Sequence, residues 1–378
     1  MLMEISKYTA KKGIDVSREK CLDNCRHFFI EPNNLYSLRE IAKPESLPFI
    51  YSRNLINETK FHRILIKEWF NYCKLNGFII IEMEDNSLLN KEDLIKECRT
   101  LLNEKIEIVE KEEKNGSLTL AIKKIKPSLK ENDDISSWTF GILSDGKRQE
   151  WVDKEIESII NLNIPNYEII ICGAYNGEYK KRDEVKVIPF DSNVERITRH
   201  KNLICENAKY ENIVITHDKI IFDKEWYEGM KKYGNYFEVL SCVNLDNGGK
   251  RVGDWMTHGS HWDKIMNLGL LEYKDWDKYG YIGGSFYILK KFVWEKAKWD
   301  ESLVWNQAED IKLSKDFYEK GIVSRFNPFS KVTMLLWRFD PLKTFEFDKH
   351  KLGRIDLTFS DKWWHLKQWI KRYILGKT

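Results

Sequence analysis

The apolar positions of the chain fall into short β-branched runs separated by longer segments with helical spacing. The first series starts at "FIYSRNLI", residues 49–56, a short strand. Residues 61–77, "FHRILIKEWFNYCKLNG", have helical apolar spacing, and Gly77 is a common kind of helix stop. "FIIIEME", 78–84, reads as a buried strand and "NKEDLIKECRTLLNE", 90–104, as an amphipathic helix. Residues 105–125 alternate on both sides of Asn115-Gly116, a hairpin signature. Residues 1–48 have no clear period.

The polar stretch "KPSLKENDDISS", 126–137, reads as a linker, and a second series follows it. "WTFGIL", "YEIIICG", "EVKVIPF" and "NIVITHD" read as strands, with helices at 150–164 and 197–210. Alternation of strand and helix predicts an α/β fold with a mostly parallel sheet flanked by helices, and a smaller N-terminal α/β domain. Ligands of such sheets bind beyond the carboxyl ends of the strands. "NIVITHD", 212–218, runs from three apolar β-branched residues straight into His217 and Asp218 at such an end. The expected domains are 1–130, 131–345 and a tail, 346–378. In "DKWWHLKQWIKRYILGKT", 361–378, Trp363, Leu366, Ile370, Tyr373 and Ile374 share one helical face, with lysines and an arginine largely elsewhere. Such a tail suits either a helix docked on its own domain or peripheral contact with a membrane.

Composition narrows the function classes. Among 378 residues, 62 are basic and 59 acidic, so no global positive field points to nucleic acid. The 14 tryptophans offer flat faces that suit sugar rings, and equally suit a Trp-rich core. Seven cysteines without zinc spacing, no apolar signal core and no run near the ~20 residues of a membrane span point to a reduced, cytoplasmic protein.

Four stretches carry residues suited to chemistry, and each also has an ordinary structural explanation. Asp218 at a strand end suits a divalent cation beside a diphosphate, or simply caps a turn. Arg199 and Lys201 in "RHKN" suit phosphates, or form a solvated basic face. Gly283 and Gly284 in "YIGGSFYILKK" allow close approach to a ligand, or make a turn before a strand. Glu309 and Asp310 in "WNQAEDIKLS" are placed for a general base, or are first-turn acids favoured by the helix dipole after Asn306.

In order, these pieces resemble an A-type glycosyltransferase of the large family-2-like inverting group, over residues 138–340. "WTFGILSDG" and "IPNYEIIICG" are similar to the first two strands, which places Ser144, Asp145 and Gly173 against the nucleotide. "RHKNLICENAKYENIVITHDKIIFDKEW" is similar to the segment leading into the metal-binding Asp-x-Asp, with Thr216 in place of the first Asp. The resemblance implies Asp218 as ligand to Mn²⁺ or Mg²⁺, and Arg199, Lys201, Thr216 and His217 around the nucleotide-sugar donor. It implies Asp310 as the base that deprotonates the acceptor hydroxyl, with Glu309 assisting. Asp254, Trp255, His258 and His261 in "GKRVGDWMTHGSHW", together with Gly283, Gly284 and Trp305, fall on the acceptor side. The implied activity is inverting transfer of a sugar to a glycan or lipid-linked acceptor in surface polysaccharide synthesis, at the inner face of the membrane.

Residues 47–85 resemble the second half of a class I methyltransferase, with "CKLNGF" a worn version of its glycine turn. The glycine-rich loop for S-adenosylmethionine is missing, so this domain reads as a degenerate structural relic. Two other classes compete with the transferase reading. One is a non-catalytic glycan- or partner-binding module with a decayed site. The other is a nucleotidyltransferase, for which "LSDGKRQEW" is a poor nucleotide loop.

Overall fold

The computed structural model describes residues 5–9, 12–86, 88–114, 116–190, 196–259, 269–303 and 308–336, together with Trp363 and Ile370. The chain divides into two compact units, one of Met1–Glu131 with Lys274–Trp276 and Lys320–Val323, the other of the remainder. The expected helical tail lies almost wholly outside the described residues. No described helix is long and apolar enough to cross a membrane.

The first unit holds β1 (Ile14–Asp15), β2 (Arg26–His27), β3 (Leu47–Arg53), α1 (His62–Tyr72), β4 (Cys73–Glu84), α2 (Lys91–Leu102), β5 (Ile106–Lys114) and β6 (Ser117–Lys124). They form one sheet ordered β2-β1-β3-β4-β6-β5. Its first three pairings are parallel and the last two antiparallel. Asn90 caps α2 by accepting the Asp93 N–H, as its place before the apolar pattern suggests. α1 stops five residues before the expected glycine. Cys73 is already extended and pairs with Leu47 of β3, and Asn76 takes a left-handed φ of 61°. Gly77 serves a close approach instead, since a Cβ there would lie 2.8 Å from the Pro48 carbonyl oxygen.

The second unit holds β7 (Ser137–Asp145), α3 (Gln149–Ile160), β8 (Asn166–Ala174), β9 (Val185–Ile188), α4 (Ile197–Asn207), β10 (Asn212–His217), β11 (Ile220–Phe222), α5 (Trp226–Tyr233) and β12 (Val239–Asp246). The small strands β13 (Met256–Thr257), β14 (Gly269–Leu270) and β15 (Gly280–Tyr281) follow, then β16 (Phe286–Lys290), α6 (Lys291–Lys296), α7 (Glu309–Glu319) and β17 (Ser324–Met334). The large sheet is ordered β11-β17-β12-β16-β10-β7-β8-β9, and β13–β15 make a separate three-stranded sheet. Strands β9, β8, β7 and β10 run parallel, β16 reverses direction beside β10, and β12 and β17 are parallel to each other. The class is therefore α/β with large, mostly parallel sheets flanked by helices.

One face of β7 and β10 buries Trp138, Phe140 and Val214 with Phe222 and Trp226 in an apolar core. Trp138 and Trp226 meet edge to face at 5.2 Å. On the other face α4 comes so close that a Cβ on Gly141 would lie 2.2 Å from Ile204. Trp69, Trp138, Trp226, Trp255 and Trp299 are all fully buried, so these five rings serve the core and not a sugar.

A buried cation closes the amino end of the parallel strands. Lys290 donates to Asp133 Oδ1 at 2.5 Å, Asn212 Oδ1 at 2.7 Å and Asn235 Oδ1 at 2.8 Å. Burial pulls its ammonium down to about 8, against the opposing pull of Asp133. Both side chains are wholly buried, so removing either partner strands a charge. Lys290→Met is expected to destabilise this unit by about 3–5 kcal/mol, read as a lower urea midpoint. Adding Asp133→Asn to that variant should recover part of the loss; an unchanged midpoint in the single variant contradicts the assignment.

Candidate active site

The carboxyl ends of β7 and β10 lie side by side, with Asp218 N–H donating to Leu143 O at 3.1 Å. Both strands then release polar chain. β7 ends on Ser144 and Asp145, and Gly146, Lys147 and Arg148 follow, leading into α3. Ser144 Oγ donates to Ala174 O at 2.8 Å and accepts the Gly146 N–H at 3.2 Å. Gly173 faces Ser144 across the strands at φ 122°, and a Cβ there would lie 1.9 Å from the Ser144 carbonyl oxygen. Its glycine is needed for strand packing. Asp145 accepts the Lys147 N–H at 3.0 Å and lies 3.3 Å from the Lys147 ammonium. These bonds hold its carboxyl below the ordinary range against the upward pull of burial.

Asp218 is buried and accepts from Arg148 Nη1 at 2.7 Å through Oδ1, while Oδ2 has no hydrogen-bond partner. Burial raises its carboxyl, with Asp145 adding to the rise and Arg148 opposing it. Thr216 is buried, and its hydroxyl donates to Gly141 O of β7 at 3.1 Å. It therefore faces the sheet interior and not a donor. Below it lies Glu155 of α3, fully buried, whose carboxyl burial pushes well above its usual range. His217 is half-buried at the strand end, where its backbone N–H donates to Ser285 O at 3.1 Å.

That bond joins Asp218's strand to a second cluster, because Ser285 follows Gly284. Gly284 N–H donates to Asp310 Oδ2 at 3.0 Å, and Ile311 N–H donates to Asp310 Oδ1 at 2.9 Å. Lys201, wholly buried on α4, donates to Glu309 Oε1 at 3.1 Å. α7 begins at these two acids, just after Ala308, which holds a left-handed φ of 56°. Burial and the neighbouring Glu309 charge push the Asp310 carboxyl up to about 7, against Lys201 and the two amides. Asp310 keeps some exposed surface, whereas Glu309 and Lys201 are buried. A Cβ on Gly284 would lie 2.6 Å from Glu309 Oε1 and 3.6 Å from Asp310 Oδ2, so the cluster needs the glycine.

Several expected site residues lie elsewhere. Arg199 points to the surface, where it pairs with Glu206 at 2.8 Å and Glu301 at 3.1 Å. Asp254 is wholly buried and bonded to Arg251, Tyr273 Oη, and the Trp255 and Asn244 amides. With its oxygens committed inside the unit, it cannot meet an acceptor. Trp255 is likewise fully buried, near Phe326, and presents no ring face to a sugar. His258 is buried beside Tyr279 and Tyr281. A Cβ on Gly283 would lie 2.8 Å from Gly253 O, so this glycine serves packing. Trp305 and His261 lie outside the described residues. Arg148 was not among the expected residues, although its place directly after the first strand, in "SDGKR", is a readable signal.

The donor set does not suit the Mn²⁺ or Mg²⁺ implied by the resemblance. Such ions take about six oxygens. Here Asp218 and Asp145 each already hold a basic side chain, Thr216 is turned inward, and Asp218 offers one unpartnered oxygen, Oδ2. Among the described residues no group of three or more His, Cys, Asp or Glu is arranged to hold a metal.

No protein-family model matches the chain, and no curated protein matches it. Solved structures align with parts of it. The crystal structure of GalNAc-T7 with UDP, GalNAc and Mn²⁺ is 12% identical over 56% of this chain, with a TM-score of 0.43. That of S. aureus TarS is 11% identical over 53%, with a TM-score of 0.41. A shorter TarS structure, residues 1–349, is 11% identical over 53%, with a TM-score of 0.39. The chain spans 46%, 37% and 60% of those three chains.

The site's electrostatics carry a direct test. An Asp310 carboxyl raised in the fold favours folding when protonated, so this contribution is complete below about pH 4 and is lost as pH rises through about 7. A carboxyl ¹³C titration of Asp310 should show a midpoint near 7. In Glu309→Gln the midpoint should fall, because a like charge is gone. A midpoint in the ordinary carboxylate range in the wild type contradicts the geometry.

Proposed function

We propose that the chain is a glycosyltransferase that moves a sugar from a nucleotide-sugar donor to a hydroxyl of a glycan or lipid-linked acceptor. The observation that supports this most is Asp310, a carboxylate fixed by two backbone amides, with a proton affinity near neutrality. A general base works best when its pKa lies near the operating pH. Gly284, which bonds Asp310, and Ser285, which bonds the strand end that carries His217 and Asp218, are adjacent in the chain. That spacing suits one cleft with phosphates at the strand ends and an acceptor hydroxyl at Asp310.

In this reading Asp310 takes the acceptor's proton as its oxygen bonds to the anomeric carbon. The bond from that carbon to the diphosphate oxygen breaks, and the electron pair leaves with the nucleoside diphosphate. Attack opposite the leaving group inverts the centre, as the resemblance implies. Glu309 holds the Lys201 ammonium beside the base and raises the base's proton affinity. On the same resemblance the setting is surface polysaccharide synthesis.

The test is nucleoside diphosphate release from a panel of UDP-, GDP-, CDP- and dTDP-sugars offered with glycan acceptors. Asp310→Asn should lower kcat by about 10²- to 10⁴-fold with donor binding retained. In the wild type, log kcat/KM should fall on the acid side of about pH 7, where Asp310 protonates. Normal turnover by Asp310→Asn would remove the base from this proposal.

A further inference from the structure

The loop between β7 and α3 gathers positive charge where the resemblance expects a metal. Arg148 uses one N–H, through Nη1, on Asp218 Oδ1 at 2.7 Å. Its side chain remains about 30% exposed, and its guanidinium lies 5.4 Å from the Trp151 ring. The fork has five N–H donors and one is committed to Asp218, so others can meet an anion. Lys147, beside it, is 76% exposed. Arg148 also immediately precedes α3, a helix of 12 residues whose start has no side-chain cap. Uncapped first-turn amides favour an anion at the same place. Asp218 is therefore the floor on which a guanidinium rests.

We propose that Arg148 replaces a divalent cation as the charge that meets the donor's diphosphate. In the free protein its guanidinium rests on Asp218; when the donor binds, it forks onto the diphosphate oxygens. This inference rests on the transferase reading above. As the bond from the anomeric carbon to the diphosphate oxygen breaks, the electron pair stays on that oxygen, and the guanidinium, aided by Lys147, carries the added charge. The acceptor's proton goes to Asp310, so charge and atoms balance with no further reactant.

The experiment is calorimetric titration of the full chain with UDP, GDP, CDP and dTDP, once in EDTA and once in Mn²⁺ or Mg²⁺. One nucleotide should bind the wild type equally well in both. Arg148→Ala should weaken that binding about 10- to 100-fold, and Arg148→Lys, which keeps the charge without the fork, by less. Circular dichroism of each variant checks that it folds. Asp218→Asn frees the guanidinium and should tighten binding in EDTA and in metal alike, whereas loss of a metal ligand would abolish binding in Mn²⁺ or Mg²⁺. Binding that needs the metal and survives Arg148→Ala overturns the inference and leaves the transferase reading standing. Failure of the folded wild type to bind any of the four, with or without metal, overturns the transferase reading itself.

Discussion

Two adjacent carboxylates can stay ionised inside a protein only if a cation is buried with them, and the site depends on that constraint. Lys201 supplies the cation, reaching Glu309 at 3.1 Å from the middle of α4. Asp310 then sits between opposing influences. Burial and Glu309 push its proton affinity up, while Lys201 and the amides of Gly284 and Ile311 pull it down. The balance near neutrality needs all of these groups, so the glycine before β16, the start of α7 and the face of α4 are constrained together.

The sheet makes that convergence possible. β10 lies between a parallel neighbour, β7, and an antiparallel one, β16. The carboxyl ends of β7 and β10 therefore share one rim with the amino end of β16. Acidic residues leave the first two strands there, and the Gly283-Gly284 turn enters the third. Gly141 admits α4 close enough for Ile204 to fill the space a Cβ would need, on the helix that also carries Lys201. At the opposite end of the strands Lys290 ties together Asp133, Asn212 and Asn235.

Much of this was legible in the sequence because it follows from pattern. The strand–helix alternation from Trp138 to His217 follows hydrophobic periodicity, which burial on both faces of a parallel sheet enforces. Glu309 and Asp310 stood out as acids opening a helix. Their pairing with Lys201 did not, because 108 residues separate the partners. Arg199 and Lys201 looked equivalent in "RHKN", but they project differently from α4: one pairs on the surface and the other is wholly buried. Asp254 and Trp255 misled for a related reason. Their residue types suit a sugar, yet burial and the Arg251 and Tyr273 bonds commit Asp254 to the interior. The antiparallel insertion of β16 had no local signal, since strand direction is decided by tertiary pairing.

The central claim is that one cleft holds the donor's diphosphate at the Asp218 strand end and the acceptor at Asp310. A crystal structure with the bound nucleoside diphosphate tests it most directly. The account predicts diphosphate oxygens beside Arg148 and the Gly284-Ser285 turn, with Asp310 open on the side where the sugar would stand. A diphosphate bound away from both clusters would contradict it.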